Sequence, residues 1–121
     1  MHPTLRLLIC TKDAEEELSL QSFADNHPDV LDIRMIDNWH DVLSASQDFE
    51  VLFLDAQLIP SPEALNRLPD SVSMILLARD THECRRFRGT RVRSCLLTPV
   101  SWESFQWTLR SVQPLYATET A

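Results

Sequence analysis

Apolar residues in this chain are concentrated in short runs separated by segments of mixed polarity. Runs that are mostly apolar occupy residues 5–10, 51–54, 72–78 and 92–97. Runs of this length are typical of strands that are covered on both faces by helices. Residues 30–36 instead alternate, with Leu31, Ile33 and Met35 on one side, which predicts a half-exposed strand at an edge of the sheet. The pattern therefore predicts five strands.

Each predicted strand is followed by a segment that carries helix-start signals. These signals are Asp13, Asp37 or Asn38, Ser61 with Pro62, Asp80 or Thr81, and Ser101. Glu16, three residues after Asp13, predicts a capping box. Strict alternation of five strands and five helices predicts a single α/β domain, a doubly wound (βα)5 sandwich whose parallel sheet has helices on both faces and right-handed crossovers.

Length and charge set the limits on domain number and partners. A chain of 121 residues predicts one domain, which we place at residues 1–113, with residues 114–121 as a tail or the start of a linker. The net charge of −7 disfavours nucleic acid and anionic membrane as main partners. No apolar run reaches the ~20 residues of a membrane span, and the N-terminus lacks the features of a signal peptide. We expect a cytoplasmic protein.

The three cysteines, Cys10, Cys84 and Cys95, are odd in number and form no CxxC pair. This usage favours free thiols in a reducing compartment over a disulfide framework. Cys10 and Cys95 lie in apolar runs, which predicts that both are buried.

Asp55 ends the central apolar run and is the first candidate for chemistry. Open α/β sheets place their sites at the carboxyl ends of strands, although an aspartate there can also simply begin a turn. The single glycine, Gly89, excludes a G-x-S-x-G nucleophile elbow and a phosphate-binding glycine loop. The four histidines have no metal-binding spacing, so neither a metal site nor an enzyme is predicted.

Three motifs occur in order along the chain: LRLLIC running into a polar triplet, VLFLD with a proline soon after, and LLTPV before the last helix. With five β-α units, they make the chain resemble the receiver (CheY-like) domain of bacterial response regulators. The resemblance implies a sheet in the order 2-1-3-4-5 with its site at the carboxyl edge. It also implies a two-component signalling role in which Asp55 stands where a histidine kinase would transfer a phosphoryl group.

The other positions of the implied pocket depart from the family. The adjacent acids that hold Mg²⁺, the hydroxyl residue that ends strand four and the lysine before the strand-five proline are all replaced. The altered positions are Thr11, Lys12, Asp13, Ala78 and Thr98. Mg²⁺ usually binds one or two carboxylates beside the phosphate, and phosphoryl transfer needs positioned cations. We therefore expect a pseudo-receiver with no cofactor.

In this interpretation Lys12 replaces the metal and pairs with Asp55. Two alternatives stay open: Lys12 extends into water, or Asp55 still accepts a phosphoryl group from a histidine kinase. The first alternative leaves the signalling role unchanged. The second would make the chain a working phosphoacceptor receiver.

Six of the eleven basic residues lie close together near the C-terminal end: Arg79, Arg85, Arg86, Arg88, Arg91 and Arg93. In receivers, the fourth helix, fifth strand and last helix form the usual surface for dimers and output domains. We predict a protein contact through Arg85, Arg88, Arg93 and Trp107, since helical spacing points Trp107 away from the core. The partner would be an output domain, another protein or a second copy in a homodimer. A solvated basic face is the alternative.

The last helix contains Trp107-Thr108-Leu109-Arg110. Some receiver-like transcription regulators bind cyclic di-GMP with a tryptophan, an apolar residue, serine or threonine, and then arginine. The two middle residues are swapped here. A second-messenger sensor is therefore the weaker alternative.

Overall fold

Five parallel strands form one sheet in the order β2-β1-β3-β4-β5. The structure is a computed structural model that describes residues 4–112. The strands are β1 (Leu5–Cys10), β2 (Val30–Ile36), β3 (Val51–Asp55), β4 (Ser73–Ala78) and β5 (Val92–Leu97). The predicted fold and strand order are confirmed. The tail predicted at 114–121 lies outside the described residues.

Within residues 4–112, four α-helices connect or follow the strands: α1 (Ala14–Asp25), α2 (Trp39–Ala45), α3 (Thr81–Arg86) and α4 (Trp102–Val112). The same part of the chain has three short 3-10 helices, at Ser46–Asp48, Ala56–Leu58 and Pro62–Arg67. The last of these joins β3 to β4, where the sequence predicts an α-helix, so that prediction is wrong. Pro62 begins the segment and Pro69 follows it closely, which leaves room for only a short helix of tight turns.

Hydrophobic cores lie on both faces of the sheet. Side chains alternate between the two faces along the central strands, so neighbouring residues enter different cores. Leu8, Leu52 and Met74 lie in the core that α2 and the Pro62–Arg67 helix cover. Leu7, Phe53 and Ile75 lie in the core that α1 and α4 cover. Every residue of β3 and β4 is buried, as their mostly apolar sequences predict.

β2 lies at an edge of the sheet, as predicted, but Leu31 does not point inward with Ile33. Leu5 pairs with Val30 while Arg6 pairs with Asp32, so the register shifts and Leu31 has no partner opposite it. The shift breaks the alternation and leaves Leu31 59% exposed. The inward position predicted for Leu31 is therefore wrong.

A disulfide joins Cys84 of α3 to Cys95 of β5. The prediction of three free thiols is therefore wrong. α3 and β5 bring the two Cα atoms to 6.0 Å, which is within the range of natural disulfides. Cys10 is the free cysteine and is buried, as predicted. Cys95 is only half-buried.

None of the helices within residues 4–112 has both the length and the apolar character that crossing a membrane requires.

Candidate functional site

Asp55 is the last residue of β3, at the edge where the carboxyl ends of the parallel strands meet. Its side chain is buried, and the residue is 4% exposed. Its Oδ1 accepts a hydrogen bond of 2.9 Å from the backbone N–H of Gln57 and so caps the short helix that follows. A buried carboxylate at this edge needs a partner for its charge.

That partner is Arg79, the first residue after β4. Its Nη1 donates to Asp55 Oδ1 at 2.5 Å and its Nη2 donates to Oδ2 at 2.9 Å. This bidentate geometry is the strongest form of the arginine–carboxylate pair. The predicted pair between Lys12 and Asp55 is therefore wrong, because Arg79 binds both carboxylate oxygens.

The pair belongs to a closed ring of four residues, which side-chain and backbone groups link together. Glu83 Oε1 accepts from the backbone N–H of Arg79 at 2.9 Å and lies 3.8 Å from its Nη1. Glu83 Oε2 accepts from Gln57 Nε2 at 3.1 Å, and the backbone of Gln57 returns to Asp55. The hydrogen bond to Asp55 is the main cause that raises the pKa of Arg79 above its usual value. Asp55 and Glu83 thus hold Arg79 in place from two sides, and its guanidinium group stays protonated.

The loop between β1 and α1 supplies three residues of the predicted pocket. Thr11 is buried, and its Oγ1 accepts from the backbone N–H of Asp13 at 3.1 Å. The Asp13 carboxylate caps α1 by accepting from the backbone N–H groups of Glu15 and Glu16. Lys12 is exposed and forms no ion pair with any residue that the structure describes.

Ala78 and Thr98 lie at the ends of β4 and β5, on the same edge. The backbone N–H of Thr98 donates to the carbonyl of Ala78 at 2.8 Å, and Thr98 Oγ1 lies 3.4 Å from the same oxygen. The peptide bond from Thr98 to Pro99 is cis. The side chain of Ala78 is buried and offers no polar group to the pocket.

Glu16 is a second buried carboxylate near this edge, 5% exposed. It does not close the capping box predicted with Asp13, because its Oε2 accepts from the backbone N–H of Val100 at 3.3 Å. Burial is the main cause that raises the pKa of Glu16, and the Val100 hydrogen bond opposes it. Glu16 was not among the predicted site residues, and its place in an acidic helix start gave no signal that it turns inward.

The acids that could hold a metal here are Asp13 and Asp55. Oδ1 of Asp13 caps α1, and both oxygens of Asp55 are bound by Arg79. Within residues 4–112, no group of three or more histidine, cysteine or acidic side chains is placed to hold a metal ion.

The other arginines of the predicted cluster have separate roles. Arg91 donates hydrogen bonds to the carbonyls of Leu65, Leu68 and Pro69 and so supports the loop before β4. Arg86 lies over the ring of Phe87, 5.3 Å from its centroid. The six arginines therefore do not act as one surface.

Arg85, Arg88 and Arg93 are exposed and line one groove of about 310 Å³. Arg93 Nη2 also donates to the carbonyl of Ser111 on α4 at 3.0 Å. Trp107 lies one turn before Ser111, so it shares that face of α4, and it is 69% exposed. The structure thus places the four predicted interface residues on adjoining surfaces. Their role in binding stays a prediction.

Solved structures with similar folds come from several sources. The response regulatory domain of mrkE from Klebsiella pneumoniae has a TM-score of 0.78 and 11% identity, over 95% of this chain and 100% of that one. The co-crystal structure of Saccharomyces cerevisiae Ypd1, a histidine phosphotransfer protein, with the receiver domain of Ssk1 contains a chain with a TM-score of 0.76, 15% identity and coverage of 98% and 96%.

A third structure is the receiver domain of a sensor histidine kinase from Pseudomonas aeruginosa, with magnesium coordinated in its active site cleft. It has a TM-score of 0.74 and 8% identity, over 89% of this chain and 96% of that one. The chain has the receiver-domain fold. No family model matches the sequence, and no curated protein matches it.

Arg79 is a site residue that the sequence pattern does not predict. Its position in the sequence groups it with the other arginines, although it follows the strand that neighbours β3. Asp55 pairs with Leu77 in the sheet register, so the residue two places after Leu77 emerges beside Asp55. That register is the signal that could have identified Arg79.

The receiver's last helix presents Trp107 and Arg110 to solvent but buries Thr108 and Leu109. The two swapped residues of the near-match to the cyclic di-GMP motif are therefore not available to a ligand. Of the four residues of this near-match, Trp107 and Arg110 are the two that could contact a nucleotide.

Proposed function

We propose that this domain is an atypical receiver that acts in signal transduction by binding a protein partner, and that its Mg²⁺-dependent aspartyl phosphorylation is impaired or absent. The main support for this proposal is the bidentate pair of Arg79 with Asp55. Phosphorylation requires a free carboxylate oxygen to attack the phosphoryl group, with a metal neutralising the developing charge. Arg79 competes for both roles because it binds the nucleophile and already supplies the positive charge.

The donor set around Asp55 does not fit Mg²⁺. This ion requires octahedral oxygen ligands, including one or two carboxylates with free oxygens. A guanidinium group in contact with both oxygens of Asp55 repels a divalent cation, and Lys12 adds a second positive charge in the adjacent loop. We propose that the domain has no metal cofactor and, like other receivers, performs no catalysis on a separate substrate.

Phosphorylation with an acyl phosphate, with and without Mg²⁺, tests this proposal. Intact-protein mass spectrometry should detect no stoichiometric gain of a phosphoryl group in the native protein. Arg79→Ala should increase labelling if the arginine is the obstacle, and Asp55→Asn is the matched negative control. Stoichiometric, Mg²⁺-dependent labelling of Asp55 in the native protein would instead establish a working phosphoacceptor that a histidine kinase could address.

We further propose that the partner binds the surface of Arg85, Arg88, Arg93 and Trp107, and that a second copy of this chain is one such partner. Exposed tryptophan and arginine are enriched at binding hot spots, and the rest of the chain is acidic enough to complement the groove. Sedimentation velocity over a concentration series should detect dimers that Trp107→Ala and Arg88→Glu weaken about tenfold or more. Leu31→Ala and Arg34→Glu at the opposite sheet edge are matched controls. Equal effects of all four changes would contradict this surface.

A further inference from the structure

The Cys84–Cys95 disulfide is exposed to the groove that the three arginines line. Both cysteines are half-buried and lie in the wall of this groove with Arg85, Arg88 and Arg93. Cys10 is the opposite case, because it is 1% exposed and burial raises its pKa to about 12. The disulfide therefore borders a groove that is open to solvent, whereas the free thiol lies in the core.

The groove is electropositive. The segment from 79 to 93 contains six arginines and only two acids. Both acids are engaged: Glu83 with Arg79 and Gln57, and Asp80 with the backbone N–H of Glu83 as the cap of α3. The three guanidinium groups of the groove consequently have no counter-charge within their own segment.

Arginines beside a disulfide favour thiol–disulfide exchange in two ways. They attract a negatively charged attacking thiolate, and they stabilise the thiolate that leaves the broken bond. We propose that Cys84–Cys95 is a reversible exchange site whose arginine-lined groove selects an anionic thiol. This site is separate from Asp55 and does not depend on its phosphorylation.

The exchange proceeds in two steps. A thiolate attacks one protein sulfur, the Sγ–Sγ bond breaks, and a mixed disulfide forms while the other protein sulfur leaves as a thiolate. A second thiolate then attacks the mixed disulfide, releasing the second protein thiolate and an oxidised dimer of the reagent. The protein gains two electrons from two thiols, and the two protons that these thiols lose on ionising return through water to the protein thiolates. The reverse reaction with an oxidised thiol restores the bond.

Reduction rates with two thiols of opposite charge test the proposal. Reduced glutathione is anionic, whereas cysteamine is cationic. Rates are compared at equal thiolate concentration and low ionic strength, with alkylation of released thiols and intact mass as the readout. For each protein we take the ratio of the reduction rate with glutathione to the rate with cysteamine. We expect this ratio to be about tenfold lower in Arg85→Gln/Arg88→Gln than in the native protein. Comparing ratios cancels the difference in size between the reagents.

Arg34→Gln, an exposed arginine on the far edge strand, is the matched control and should leave the ratio unchanged. High salt should lower the ratio in the native protein, which tests the same charge effect without any substitution. An equal ratio in the native and Arg85→Gln/Arg88→Gln proteins would overturn the proposal. Reduction that occurs only in denaturant would also overturn it.

Discussion

The Asp55 pocket and the arginine groove lie at two ends of one arginine-rich segment, and arginine has opposite roles in them. In the pocket, Arg79 neutralises a buried carboxylate and is held in place by Glu83. In the groove, Arg85 and Arg88 extend into solvent. The difference arises from position: a residue that follows a parallel strand emerges at the sheet edge, whereas residues around the end of α3 face outward.

This difference separates the arginines that hold the fold together from those available to a partner. A basic cluster in a sequence is usually treated as one surface. Here Arg79 and Arg91 instead make internal contacts, with a carboxylate and with backbone carbonyls respectively, whereas the groove arginines have no counter-charge within their own segment. Replacing Arg79 or Arg91 should therefore lower the free energy of unfolding, whereas replacing Arg85 or Arg88 should not. This difference can be measured before any partner is known.

Arg79→Met should have the largest effect, with a loss of about 3–4 kcal/mol in the free energy of unfolding, because it leaves the Asp55 carboxylate buried and unpaired. We take the lower part of the range for broken buried pairs, since the Arg79 side chain is 37% exposed and water screens it. Urea unfolding gives the measurement. Arg85→Met is the control and should change stability by at most about 0.5 kcal/mol. Similar losses in both variants would contradict the division.

Loss of the disulfide should come next. Cys84→Ser/Cys95→Ser removes a bridge whose ends are 11 residues apart in sequence. Closing a loop of this size contributes about 2–3 kcal/mol in the chain-entropy account. Urea unfolding of the native protein should show the same loss when a reductant is added, and the double variant should not respond to it. A native protein with equal stability in both conditions would contradict a formed disulfide.

Arg91→Met tests the second arginine that acts internally. Its guanidinium donates to three backbone carbonyls, so its removal leaves the Pro69 turn without these donors. Hydrogen bonds from charged groups predict a loss of about 1.5–3 kcal/mol. Arg88→Met is the matched control from the groove. Hydrogen exchange at residues 65–70 should accelerate only in Arg91→Met, and unchanged exchange there would argue against this support.

The fold and the place of the site could be predicted because they depend on patterns within the sequence. Apolar runs identified the strands, and Asp55 at the end of a buried run identified the edge. The partner of Asp55 could not be predicted in this way, because it depends on the register between β3 and β4, which the strand order alone does not fix. The disulfide and the exposure of Leu31 likewise depend on packing and register, which a local pattern does not contain.

The smallest effect should come from Glu16, the buried carboxylate near the pocket edge. Among the described residues, no cation contacts it directly. Burial raises its pKa in the folded state above the usual 4.5, so the folded protein holds this proton more tightly than the unfolded chain. The resulting stability is present below about pH 4.5 and is lost as the pH rises through the folded-state pKa.

Glu16→Gln removes this titration and keeps an oxygen that can accept from the backbone N–H of Val100. The stability of the variant relative to the native protein should therefore increase as the pH rises above about 4.5, and should level off once the folded-state carboxyl is ionised. Urea unfolding across this range gives the difference, and Glu15→Gln, exposed in the same helix turn, controls for the lost charge near the start of α1. Equal pH dependence in the two variants would mean that Glu16 is solvated. Asp55 would then be the one buried carboxylate of this edge, and its need for Arg79 would be a property of that position alone.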